Sequence, residues 1–192
     1  SGSLFGCRGW GVKPDIMTLA KGLTSGYIPL GACMINKKVE DAWKEDSPLS
    51  VWMQGYTYSG HPVACAAGIA ALKLMHSEKH AENAREVGDY LLQRLLKLKD
   101  SFTAIGDVRG KGLFQGVELV TDRETREPVH EGVAIAIAGD CMANGVIIGR
   151  TNRSFTSHNN TLCLSPALIC TRIELDEIVD AIDAAITRVT AA

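Results

Sequence analysis

Apolar positions fall into two regimes along this chain. From Ile16 to Asn36 they come as short unbroken runs, IMTLA (Ile16 to Ala20) and LGACMIN (Leu30 to Asn36). Neither run alternates cleanly, which predicts two buried strands covered on both faces, as in an α/β sheet. From about residue 78 the pattern turns periodic. Ala84, Val87, Leu91, Leu95 and Leu98 recur at helical spacing and predict a helix over about Glu78 to Lys99. Leu113, Val117 and Leu119 share one face of a strand in LFQGVELV, and a shorter strand precedes it near Asp107 to Arg109. A helix over about Gly132 to Ala143 should stop at Asn144-Gly145. VIIGR (Val146 to Arg150) and TLCLS (Thr161 to Ser165) read as strands. Thr171 to Glu174 forms a capping box for a last helix whose stripe is Leu175, Ile178, Val179, Ile182, Ile186 and Val189.

Between the regimes, Pro62 opens a helix to about Met75, rich in small residues that suit tight packing against a neighbour. Residues 37–61 read mostly as loop, with a short helix around Val39 to Trp43. The opening SGSLFGCRGWG reads as a loop with no element before it to anchor it, as in a chain cut in mid-fold. The pattern divides near residue 75, into an α/β part and a small α+β part.

Composition changes little in this picture. Of 192 residues, 46% are hydrophobic and 22% charged, which suits an ordinary globular core. A net charge of −2 and the lack of any Lys/Arg run argue against nucleic-acid binding. No apolar stretch is long enough for a membrane span, and no signal peptide is read at the start. Six scattered cysteines without a C-x-x-C pair predict reduced, mostly buried thiols in a cytoplasmic protein. His76 and His80 stand four apart on an expected helix, but no cysteine or H-E-x-x-H arrangement supports a metal there, and none is expected.

Two segments carry candidate chemistry. PDIMTLAKGLTSGYIPLGA places Lys21 at the end of an apolar strand, where partial desolvation would free its lone pair for attack on an aldehyde. On the residues alone, a solvated surface lysine is the commoner outcome. YTYSGHPVACAAG sets Thr57, Tyr58 and Ser59 ahead of a helix start, which suits a phosphate. Helix capping by Ser59 is the plainer alternative.

Together, in order and wording, the two segments resemble the cofactor-lysine and phosphate-contact segments of class III aminotransferases, pyridoxal-phosphate enzymes of fold type I. VRGKGLFQGVELV and LSPALICTRIELDEIVDAI resemble the family's small C-terminal domain, so the likeness spans nearly the whole chain. The wording TSGYIPLGA is similar to the ω-aminotransferase branch, such as those using β-alanine and pyruvate. The resemblance implies the end of a large cofactor-binding domain over residues 1–75 and a small α+β domain over 76–192. It implies that Lys21 binds pyridoxal 5'-phosphate as an imine and then moves protons as base and acid. It implies that Tyr56 and Thr57 contact the cofactor, Thr57 reaching the phosphate of a partner subunit in a homodimer or higher homo-oligomer. It places Arg150 at the family's carboxylate-binding arginine, against the alternative of a solvated strand end. The loop with Arg153 and Asn159 that follows departs from a shorter family pattern. The substrates implied are an amine or ω-amino acid and a keto acid such as pyruvate.

The family's phosphate loop, ring-stacking aromatic residue and pyridine-pairing aspartate lie N-terminal to the matched region, and none is located here. A complete catalytic unit is therefore expected to need more than this chain. Competing readings are an aminomutase or decarboxylating relative, a non-catalytic fragment that binds no cofactor, and a plain α/β binding module with Lys21 on its surface.

Overall fold

The computed structural model describes residues 1–46, 53 and 55–190, which gather into two compact units. One is Phe5–Lys79. The other joins Ser1–Leu4 to His80–Ala192.

The second unit holds the extensive core. Helix α4 (His80–Ser101) leads into the β3 (Ile105–Lys111) and β4 (Phe114–Leu119) hairpin. Helix α5 (Glu131–Ala143), the short β5 (Gly149–Arg150), β6 (Thr161–Leu164) and α6 (Arg172–Thr190) follow. The four strands form one antiparallel sheet in the order β3-β4-β6-β5. Alternation along β4 sends Gln115, Val117 and Leu119 inward. Leu91 and Leu95 of α4, Ile137 of α5 and Leu175, Ile182 and Ile186 of α6 fill the space against that face. The Thr171 to Glu174 capping box forms as expected. The Thr171 N–H donates to Glu174 Oε2 at 2.7 Å, and the Glu174 N–H donates to Thr171 Oγ1 at 3.3 Å. Helix α5 stops at Asn144, and Gly145 then takes a φ of +87°.

Of the VIIGR run, only Gly149 and Arg150 pair, with Cys163 and Leu162. Strand β6 ends at Leu164, and Ser165-Pro166 follows.

The first unit is thinner. A helical turn, α1 (Gly6–Gly9), stands where a loop is expected. Strands β1 (Ile16–Leu19) and β2 (Ala32–Ile35) pair antiparallel, Ile16 opposite Ile35. Helix α2 (Lys37–Asp46) is longer than the Val39 to Trp43 expectation; Asn36 caps it by accepting the Val39 N–H at 3.1 Å. Helix α3 (Pro62–Ser77) is capped by His61 rather than Ser59: His61 Nδ1 accepts the Ala64 N–H at 3.4 Å. Ser59 Oγ instead accepts the Tyr56 N–H at 2.9 Å.

The expectation of doubly covered strands fails within this chain. Strand β2 leaves all four of its residues exposed and β1 two of its four, and Val63, Ile69, Leu72 and Leu74 of α3 are exposed as well. Thr24, Ala64 and Gly68 are the buried residues among those described here. The described residues supply no layer over the sheet, so runs suited to two-sided burial stand open. The cysteines follow suit. All six are free thiols; Cys141 and Cys170 are buried, whereas Cys33 and Cys65 are exposed. His76 and His80 do not share a helix: α3 ends at Ser77, and Lys79, at a φ of +54°, precedes α4.

Among the described residues no helix is long and apolar enough to cross a membrane. None of them form a group of three or more His, Cys, Asp or Glu placed to hold a metal ion.

Candidate active site

Lys21 lies two residues beyond the end of β1 and opens a 3-10 turn, Lys21–Leu23. Its φ is +52°, the left-handed region that side-chain-bearing residues avoid. Such a conformation persists only when its surroundings enforce it. Here Lys21 O accepts the Thr24 N–H at 3.2 Å, and Thr24 O accepts the Tyr27 N–H at 3.1 Å. Thr24, at 2% exposure, also donates its hydroxyl to Ile28 O at 2.6 Å. The turn rests on α3 at Gly68. A side chain there would meet Leu30 Cδ2 at 3.0 Å and Leu23 O at 3.7 Å. Thr24 and Gly68 thus fix the lysine's backbone. Neither stands out in the sequence, where one reads as loop and the other as one small residue among many.

The Lys21 side chain is exposed, and its amine meets no partner among the described residues. The desolvation expected of a strand end is not supplied here, because the lysine sits on a turn at the open end of a two-stranded sheet.

Tyr56 and Thr57 lie on the turn before α3, where Tyr56 O accepts the Ser59 N–H at 2.9 Å and Gly60 takes a φ of +69°. Both residues are exposed. Among the described residues, no partner takes up the Thr57 hydroxyl or the backbone N–H groups of Thr57, Tyr58 and Gly60. Tyr56, Tyr58 and His61, facing residues 28–31, line a cleft of about 530 Å³. A hydroxyl and several free N–H groups converging on one turn are a donor set for a phosphate. With a primary amine at Lys21 for the aldehyde, the chemistry of these residues fits pyridoxal phosphate.

Arg150 sits in the other unit, half-buried on β5, with Nη1 donating to Thr151 O at 3.0 Å. Its register partner is the buried Leu162, so its side chain leaves the strand on the face that bears the core.

Comparison with known proteins identifies the architecture. The family model described as Aminotransferase class-III matches residues 1–186. The chain belongs to this family. The taurine–pyruvate aminotransferase of Rhodobacter capsulatus is 40% identical over 193 residues, covering 100% of this chain and 42% of that protein. The hypotaurine/taurine–pyruvate aminotransferase of Paracoccus denitrificans is 42% identical with the same coverage. A Bacillus anthracis aminotransferase superposes with a TM-score of 0.90 at 34% identity, over 97% of this chain and 42% of its own. An amine transaminase from an uncultivated Pseudomonas species, solved in its PLP-bound (internal aldimine) form, reaches a TM-score of 0.87 at 43% identity, over 98% and 41%. The chain thus spans about 42% of the length of the curated relatives it matches.

Proposed function

We propose that this chain supplies the lysine-bearing part of a pyridoxal-phosphate-dependent transaminase that moves an amino group from an amine or ω-amino acid to a keto acid such as pyruvate. The observation that carries this reading is the match of the aminotransferase family over residues 1–186, with Lys21 in the segment that resembles the cofactor-lysine segment. The names of the relatives favour a small ω-amino acid bearing an anionic group as donor, taurine among them, and pyruvate as acceptor.

Each residue has a distinct task in this scheme. Lys21 Nζ would hold the cofactor, and Tyr56 and Thr57 would contact it, Thr57 reaching the phosphate in a partner subunit. When bound, the cofactor supplies an electron sink for the carbon that loses its proton. The Lys21 amine would take a proton from the substrate carbon and later return one, as base and then acid. The left-handed turn sets where that amine can reach. Arg150 offers a two-point contact to a substrate carboxylate. Residues 1–75 act as part of the cofactor domain and 76–192 as the small domain.

Amino transfer is tested by supplying the full-length protein with pyridoxal phosphate, pyruvate and taurine or β-alanine, and measuring alanine. Stoichiometric alanine is expected. Substrate consumed without alanine would instead favour an aminomutase or a decarboxylating relative.

A further inference from the structure

The loop after β1 holds three left-handed backbones close together: Lys21 at a φ of +52°, Ser25 at +55° and Gly26 at +84°. Only the glycine takes that conformation at ease. A residue with a side chain stays there when its surroundings over-determine it. Little in this stretch is packed. Lys21, Gly22, Ser25 and Gly26 are exposed, and nothing lies within 4 Å of a Cβ built on Gly22 or Gly26. Thr24, midway between the two strained positions, is the exception. It is the one buried polar residue among the described residues of Phe5–Lys79.

Every polar group of Thr24 is bonded within this loop. Its N–H donates to Lys21 O at 3.2 Å, its carbonyl accepts the Tyr27 N–H at 3.1 Å, and its hydroxyl donates to Ile28 O at 2.6 Å. The two backbone bonds are open to any residue with an N–H. The third comes from the side chain, and it closes the loop one residue further on. The methyl group has a different neighbour. Thr24 Cγ2 lies 3.9 Å from a Cβ built on Gly68 of α3, in the seat that also takes Leu30 Cδ2 and Leu23 O. One side chain thus has two tasks, packing through its methyl and closing the loop through its hydroxyl, and each can be removed without the other.

We propose that the Thr24 hydroxyl aims the Lys21 amine for proton transfer, which makes Thr24 a positioning residue of the reaction. The proposal rests on the transaminase reading above. Thr24 touches no reacting atom; its effect runs through Lys21 O and the closed loop. While Lys21 holds the cofactor, the covalent bond fixes the amine whatever the loop does. Once the amine is free, the backbone beneath it sets where it stands relative to the substrate carbon. A misplacement of about 1 Å there costs on the order of a hundredfold in rate. The hydroxyl bond therefore governs the proton-moving step and has little effect on cofactor attachment or substrate binding.

The test sets two variants of the full-length protein against each other. Thr24→Val keeps the shape and a methyl but removes the donor; Thr24→Ser keeps the donor but removes the methyl. In Thr24→Val, kcat for transfer from the amine to pyruvate should fall about ten- to hundredfold, with KM for both substrates within about twofold of wild type. The kinetic isotope effect from a donor deuterated at the carbon that loses its proton should rise. Borohydride should still trap the cofactor on Lys21. Thr24→Ser should stay close to wild type in all of these. In the cofactor-free protein, amide hydrogen exchange over residues 21–28 should be faster in Thr24→Val than in wild type or Thr24→Ser. A packing role would run the other way, with Thr24→Ser the worse of the two, and would overturn the proposal. So would a Thr24→Val with unchanged kcat, one whose kcat falls at an unchanged isotope effect, or one that unfolds, which assigns the hydroxyl to folding. Wild-type protein that takes no cofactor on Lys21 overturns the transaminase reading itself, whereas these outcomes leave it standing, so the two failures are distinguishable.

Discussion

Lys21 carries an ordinary L side chain in a backbone conformation suited to glycine, at a φ of +52°. Holding it there costs about 1 kcal/mol or more. The turn around it is fixed by the buried Thr24 and by the close seat of α3 at Gly68. A glycine would sit in that turn more easily, which explains the position only if the amine is what is needed. Lys21→Gly should therefore leave stability within about 1 kcal/mol of wild type, with thermal unfolding as the check. Transamination should fall to background in the same sample. Unfolding of this variant would assign the lysine a structural role instead.

Element-scale packing separates glycines that space demands from those it does not. Gly88 of α4 faces the hairpin turn so closely that a Cβ would lie 2.2 Å from the Gly112 carbonyl carbon. Backbone cannot step aside as a flexible side chain can. Gly88→Ala should destabilise by about 1–3 kcal/mol or more, measured by denaturant unfolding. Gly139 of α5 has nothing within 4 Å of its Cβ position. There, alanine should stabilise by about 0.5–1 kcal/mol through helix propensity alone. The α6 cap adds a pH dependence. Hydrogen bonds from the Thr171 N–H and hydroxyl hold the Glu174 carboxyl below its ordinary value of 4.5. A carboxyl lowered by folding adds stability that is full above its unfolded pKa and is lost as pH falls through the folded one. Glu174→Gln should flatten that acid limb in unfolding curves taken from about pH 6 to about pH 3. This cap was legible in the sequence because its partners are three residues apart, and the α4 and α6 stripes were legible because helical periodicity is local. The extent of β5 was not, since it depends on the span of its partner β6 (Thr161–Leu164), distant enough in sequence that local pattern does not set the pairing. The site was legible as residue identities, Lys21 and Thr57 above all. What holds Lys21, through Thr24 and Gly68, depends on contacts between segments.

At the scale of the whole molecule, β1, β2 and α3 present apolar faces that the described residues leave uncovered, in a chain that spans about 42% of its curated relatives. Strand runs without alternation are the pattern of two-sided burial, and the described residues supply no second layer. In a protein of the relatives' length, Cys33 and Cys65, both exposed here, should react with a maleimide far more slowly when native than when unfolded. Equal rates would mean that these faces remain open. The central claim is that Lys21 carries the cofactor. Its most direct test is to incubate the protein with pyridoxal phosphate, reduce it with borohydride, and map the peptides by mass. The account predicts a single phosphopyridoxyl adduct on Lys21. An unmodified Lys21 in a cofactor-loaded, full-length protein would contradict it.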